Sequence, residues 1–306
     1  MVRMMKKITR IFSMFLVAAT AFACAEKEID YSKWYADDNN QQGGAQPTVT
    51  PEDTDLIVMS FNVRYPAAED TGDKAWNYRC KGIHAMIKEK KPMIIGLQEC
   101  YITQRNNITQ NCPGYLAYGV GRNDGNQSGE TTSILFDKSI FTLKDNGTFW
   151  LSENPNKPSI GWDASTYRTT TWVKLEMKSN GQQILVVNTH LDHAGTKAKS
   201  EGLKLIQQKI NDLNPTGLPV VLTGDFNDVT TSSIFSVLTL KDARKEAKIT
   251  DNFGTSNGWG NKAQQIDHIF YGNMDVASYQ TIRDRWEGIS YISDHFPIMA
   301  TFTFNK

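Results

Sequence analysis

The sequence predicts an α+β domain in which β-sheets stack on one another and helices cover the outside. Three observations carry that expectation. Short β-rich runs recur between turn signals, only two segments show helical apolar spacing, and the globular composition holds from about Asp55 to Lys306, roughly 250 residues, without an internal repeat.

In chain order, the first run is LIVMSFNV (56–63), followed by a helix-like Tyr78–Lys90 that places Ile83, Met86 and Ile87 on one face. MIIGLQE (93–99), TSILFD (132–137), TTWVKLEM (170–177) and QILVVNTHL (183–191) read as strands. Lys197–Leu213 is the second helical segment, with Leu203, Ile206 and Ile210 at helical spacing. LPVVLTGDF (218–226), QIDHIFYG (265–272) and HFPIMATFTF (295–304) complete the set.

Ahead of this domain, residues 1–23 have the form of an export signal: Arg3, Lys6, Lys7 and Arg10, an apolar run too short to span a bilayer comfortably, then small residues. Ala21-Phe22-Ala23-Cys24 resembles the lipobox of bacterial lipoproteins. Cleavage before Cys24 and lipidation of its thiol are expected, anchoring the mature chain in the cell envelope, periplasmic or at the cell surface. Residues 24–54 are polar, acidic and rich in Gly, Pro, Asn and Gln, and read as a flexible tether.

Without the four basic residues of the signal, the balance is 29 Lys+Arg against 33 Asp+Glu, or −4. No basic excess is left for general polyanion binding, which argues for a small substrate over long nucleic acid, and the chain is expected to act as a monomer. Cys80, Cys100 and Cys112 follow Cys24, so one disulfide at most can form among the three, Cys100 and Cys112 being the nearer in sequence. None has Cys-x-x-Cys spacing, and all three read as structural.

Polar residues fall at the strand ends. Asn62 ends the first run, Glu99 the second, Asn188 and His190 the fifth, Asp225 and Asn227 the sixth; Asp267 lies in the seventh, and Asp294 and His295 open the last. Any one of these is an ordinary turn residue. Together they would line one rim with acids, amides and histidines on rigid supports. Asp, Glu and Asn are hard oxygen ligands suited to Mg²⁺, Mn²⁺ or Ca²⁺. The two-residue separation of Asp225 and Asn227 is expected to put both on one face of a strand.

The segments SFNVRY, IIGLQE, GETTSILF, NTHLDH, GDFND, IDHIF and SDHFPI, in that order, resemble the endonuclease/exonuclease/phosphatase superfamily of DNase I-like metal-dependent phosphoesterases. One departure is Pro92-Met93, where such proteins often carry Pro-Asp, at a helix-to-strand junction. The resemblance implies a four-layer α/β/β/α sandwich: two mixed β-sheets packed face to face with helices outside.

The chemistry it implies is in-line attack of water on a phosphate ester with a divalent metal, Mg²⁺ or else Mn²⁺ or Ca²⁺. Glu99 is the expected metal ligand, with Asn62 beside it and Asp294 opposite. Asp225 and Asn227 would flank the attacking water. His295 would be oriented by Asp267 and His190 by Glu130, the two histidines serving as general acid/base and oxyanion stabiliser in an order left open. Arg168 lies where such proteins often place a phosphate-binding arginine. Asn188 and Trp259 are expected on the substrate side, Trp259 by stacking on a base or sugar.

Other residues keep plain readings. His193 has no third ligand in register for a zinc site, His84 is expected on a helix surface, His268 on the strand face opposite Asp267, and Trp76 and Arg79 in the scaffold. A two-metal phosphatase of the calcineurin type lacks the histidines it needs among the five present. A sphingomyelinase-like role lacks a clear apolar docking hairpin. A catalytically silent ligand-binding lipoprotein that retains the fold is the alternative from another class.

Overall fold

Alternation along the first strand sets the layering. In a computed structural model that describes residues 55–305, β1 (Asp55–Asn62) sends Leu56 and Val58 into one core and Ile57, Met59 and Phe61 into another. The expected signal (1–23), Cys24 and the tether (24–54) lie outside the described residues.

After β1 come α1 (Trp76–Lys90), β2 (Ile94–Gln98), β3 (Cys100–Tyr101), α2 (Ile102–Asn111), β4 (Tyr115–Tyr118), β5 (Glu130–Thr131) and β6 (Ile134–Asp137). The second half holds β7 (Phe141–Trp150), β8 (Thr169–Met177), β9 (Gln183–His190), α3 (Thr196–Leu213), β10 (Val220–Asp225), β11 (Lys241–Asp242), α4 (Ala243–Glu246), β12 (Asp267–Gly272), β13 (Met274–Thr281) and β14 (Ile298–Phe304).

One six-stranded sheet runs β13-β14-β1-β2-β6-β4 and the other β11-β12-β10-β9-β8-β7, with β3-β5 as a separate pair. Both sheets are mixed: β1 is parallel to β2 and β9 to β10, while the other pairings are antiparallel. Each parallel pair is joined through a helix, α1 in one sheet and α3 in the other, as a parallel crossover requires.

Three apolar clusters define four layers. Leu56, Val58, Ile94 and Phe136 of the first sheet meet Val173, Val186, Val221 and Ile269 of the second between the sheets. Ile83, Met86 and Ile87 of α1 cover the outer face of the first sheet, and Leu203, Ile206 and Ile210 of α3 cover that of the second. The expected α/β/β/α sandwich is therefore the observed fold. At Gly96 the two sheets approach so closely that a Cβ would collide with Thr223 Oγ1 and Asn188 Oδ1, which accounts for a glycine inside a buried strand.

Several elements differ from expectation. α2 has only Gln104 and Ile108 buried, so its sequence carries no apolar stripe; instead Gln104 Oε1 accepts the Tyr101 N–H at 2.9 Å and closes its first turn. β7 and β13 are edge strands, of which β7 is largely polar, and neither stood out as an apolar run. His84 is buried rather than on the surface, its Nε2 3.0 Å from Asn107 Oδ1. Cys80, Cys100 and Cys112 are all free and buried, so the Cys100–Cys112 pairing does not occur. Among the described residues no helix is long and apolar enough to cross a membrane.

Candidate active site

The parallel register aligns the rim. Asp225, the last residue of β10, is the partner of His190 on β9 and of Asp267 on β12, so three of the expected residues stand side by side across three strands. The ends of β1 and β2 face them: Asn62 Nδ2 donates to Asp225 Oδ2 at 2.9 Å and to Glu99 Oε1 at 3.0 Å. One buried amide thus ties the two sheets together at the site.

The SDHFPI segment completes the group from beyond the sheet ends. Asn257 and Gly258 N–H donate to Asp294 O, Phe296 N–H donates to Thr255 O, and Ser293 Oγ donates to Asn62 O at 2.7 Å. This places His295 with Nδ1 2.8 Å from Asp267 Oδ2 and Nε2 3.9 Å from Asp225 Oδ2. Burial works against a charge on His295, but Asp267, Asp225 and Asp294 outweigh it and hold the ring well above the ordinary histidine value. The His295–Asp267 pair is present as expected.

His190 is the electrostatic opposite. Burial, with Arg168 and Arg122 nearby, pushes its pKa well below the ordinary value. Asn227 Nδ2 lies 3.1 Å from His190 Nε2 and 3.0 Å from Leu191 O. As the amide nitrogen can only donate, Nε2 accepts, and the proton of the neutral ring sits on Nδ1. That Nδ1 is buried without a hydrogen-bond partner. The expected Glu130 stands 4.0 Å away because Arg122 Nη2 takes its carboxylate at 2.7 Å. The His190–Glu130 pair is therefore not a hydrogen-bonded dyad, and Arg122, absent from the sequence expectations, is the reason.

Asp225 and Asn227 do converge, but not by strand alternation. β10 ends at Asp225, and Asn227 turns back in a left-handed conformation (φ 49°) with its N–H donating to Asp225 Oδ1 at 2.9 Å. Glu99 (φ 53°), Arg64 (φ 56°) and Trp259 (φ 60°) are also left-handed, a cluster of backbone strain around one site. Burial, with Asp267 adding to it, pushes the Asp225 carboxyl up to about 7.

One further expectation is corrected. Asn188 is fully buried, two residues inward of His190. It donates to Leu97 O and Ser133 O and accepts from Gln98 Nε2 and Thr223 Oγ1, so it bonds the sheets rather than a substrate. Asn62 turns its amide nitrogen to the carboxylates while its Oδ1 accepts the Arg64 N–H at 3.0 Å.

Arg168 is buried near His190, Nε 3.3 Å from Asp192 Oδ2 and Nη2 3.1 Å from His193 Nδ1. Trp259 is half-buried on the turn that holds Asp294, with Lys74 Nζ 5.6 Å and the Arg79 guanidinium 5.9 Å from its ring. Arg79 is scaffold as expected: fully buried, it donates to the carbonyls of Val63, Arg64, Lys74 and Ile292, bracing the chain beside Asn62 and Ser293.

The donor set fits a hard divalent cation. Ligand atoms of Glu99, His190 and Asp225 lie within 4.8 Å of one another. Asp294, Glu130 and Asp225 are all pushed upward by burial; His295 and Arg122 pull the first two partly back while Glu99 adds to the rise, and at Asp225 the neighbouring Asp267 adds to it. Asp294 lies outside that ligand group; its Oδ2 is 3.8 Å from Arg64 Nη1. Asp225, Asp267 and His295 also converge, but there a hydrogen bond already joins His295 to Asp267.

Comparison with known proteins agrees with this geometry. The model of the Endonuclease/Exonuclease/phosphatase family matches residues 59–295. A solved structure described as the endonuclease/exonuclease/phosphatase from Bacteroides vulgatus is 32% identical, covering 83% of this chain and 100% of its own, with a TM-score of 0.78. A family protein from Bacteroides thetaiotaomicron is 33% identical over 83% of this chain and 99% of its own, TM-score 0.76. The mannosyl-6-phosphatase of Bacteroides thetaiotaomicron is 34% identical over 81% of this chain and 100% of its own, TM-score 0.75.

Proposed function

The chain belongs to the endonuclease/exonuclease/phosphatase family, whose members are phosphoester hydrolases, and on that premise we propose that it is a divalent-metal-dependent hydrolase of small phosphate esters. The observation that carries the reading is the pair of unlike histidines around Asp225: His295 charged by Asp267, and His190 neutral with Nε2 3.6 Å from Asp225 Oδ2. Environments that push the two rings apart in this way separate their roles: His295 holds a proton to donate, and neutral His190 does not compete for it.

In this reading Asp225 aligns water and accepts its proton as the new P–O bond forms. Asn227 fixes the direction of approach. His295 Nε2–H hydrogen-bonds the phosphoryl group and protonates the leaving oxygen as the ester P–O bond breaks. Transfer of the proton from Asp225 back to His295, 3.9 Å away, restores both groups. Glu99 and Asp225 would hold Mg²⁺, with Mn²⁺ or Ca²⁺ as substitutes; a cation there supplies positive charge against the phosphoryl oxygens.

Sugar phosphates are the first substrates to try, because a 34% identical neighbour is a mannosyl-6-phosphatase. The absence of a basic excess also favours small molecules over long nucleic acid. We place the protein as a monomer in the cell envelope through lipid on Cys24, and loss of membrane fractionation in Cys24→Ser would support that placement. The enzymatic reading is tested with a panel of sugar phosphates, nucleotides, p-nitrophenyl phosphate, bis-p-nitrophenyl phosphate, RNA and plasmid DNA, with Mg²⁺ and with EDTA. Metal-dependent turnover supports it; a folded, metal-binding protein silent across the panel favours the ligand-binding lipoprotein.

A further inference from the structure

On the His190 side of the site, Arg122, Glu130, Thr132, Arg168, Thr169 and His190 line a narrow cleft of about 10 Å³. That is room for about one water-sized group, such as a single phosphoryl oxygen, and not for a whole small molecule.

Two buried donors of this cleft lack acceptors. Arg122 Nε has no partner although Nη2 is bound to Glu130, and His190 Nδ1, which carries the ring proton, has none either. Buried polar atoms are nearly always paired, and an orphan donor is costly. Arg168 adds a second guanidinium, steadied by Asp192 and His193. The unpaired groups, Arg122 Nε and the His190 Nδ1–H, are donors only, which matches a ligand that only accepts. Glu130 is the single lining carboxylate, and it opposes an anion.

We propose that Arg122 joins Arg168, the arginine at the position the family resemblance already gives to phosphate, in holding the non-bridging oxygens of a phosphomonoester, and that Arg122 sets a preference for monoesters over diesters. This rests on the phosphoesterase reading of the site. A monoester carries about −1.5 to −2 charge and three acceptor oxygens near neutral pH. A diester offers one charge and two such oxygens, and gains less from a second guanidinium.

The test is calorimetric titration of the purified, metal-free protein with inorganic phosphate, paired with kcat/KM on p-nitrophenyl phosphate and bis-p-nitrophenyl phosphate. Arg122→Gln should weaken phosphate binding about tenfold and lower the monoester-to-diester ratio by a similar factor. Glu130→Gln, which removes the opposing charge and leaves Arg122 in place, should tighten phosphate binding. If Arg122→Gln fails to fold, Arg122→Lys keeps the charge without the fork and, with Glu130→Gln, decides the matter. Phosphate affinity unmoved by these substitutions, or equal losses on the two esters, overturns the proposal. Phosphate binding that responds as expected in a protein that hydrolyses nothing would keep the subsite and remove the enzymatic reading.

Discussion

Asp225 and Asp267 are register partners on adjacent antiparallel strands, and both reach the same histidine: Asp267 Oδ2 stands 2.8 Å from His295 Nδ1, and Asp225 Oδ2 3.9 Å from Nε2. The sheet ladder fixes the spacing of the two carboxylates, and the imidazole spans it. In the proposed mechanism one of them orients the ring while the other faces the reacting atoms.

Asp267→Asn should therefore lower kcat by about 10²–10³ with KM little changed, because the amide no longer holds the imidazolium. His295→Ala should lose more, with metal affinity intact. Steady-state kinetics alongside metal titration checks both, and near wild-type kcat in His295→Ala would sink the proposed site.

The two histidines should titrate on opposite sides of the ordinary value near 6.5. His295, raised by its carboxylates, contributes stability that is fully present below the unfolded pKa and is lost as pH rises through its folded pKa. His190, lowered by burial and two arginines, stays neutral; stability falls as pH drops below the unfolded value, where only the unfolded ring protonates. Ring-nitrogen NMR of the metal-free protein reads the two curves separately. Two coincident titrations near 6.5 would contradict the assignment of His295 as the proton donor.

Glu99→Gln should raise the Mg²⁺ concentration needed for half-maximal activity by about 10–100-fold, and EDTA should abolish turnover by the parent protein. Asn62→Ala should also disturb the metal requirement, since the amide donates to both Glu99 and Asp225 and spaces them. An unchanged metal requirement in Glu99→Gln would remove that residue from the ligand set.

Asn188→Ala should act on stability alone. It deletes four hydrogen bonds, three of them to Leu97, Gln98 and Ser133 across from its own sheet, and leaves buried partners unsatisfied, a loss on the order of 3 kcal/mol. Denaturant melting gives the loss, and KM of the surviving folded fraction should stay at the parent value. A raised KM in a protein of unchanged stability would restore a substrate role.

The contrast between Asn188 and His190 shows how far the sequence could be read. Both lie in the motif NTHLDH, on one strand and one face, and nothing local distinguishes them. Depth does: Asn188 meets Gly96, Leu97 and Ser133 inside the sandwich, whereas His190 reaches the rim. Glu130 gives a second case, because Arg122, eight residues earlier, captures its carboxylate and leaves His190 Nδ1 unpaired. The αL turn at Asn227 gives a third, since the two-residue spacing was legible but not the conformation that brings the amide back to His190.

By itself the sequence determined the layers and the family chemistry: alternating apolar residues set which strand faces are buried, and the ordered motifs at the strand ends supplied the carboxylates, amides and histidines. Tertiary structure decided which of those groups touch. Contacts such as Asn62 to Asp225 and His295 to Asp267 depend on the register between strands and the approach of two sheets. These are long-range quantities, set by the balance of burial and hydrogen bonding over the whole sandwich, and no local spacing in the chain encodes them.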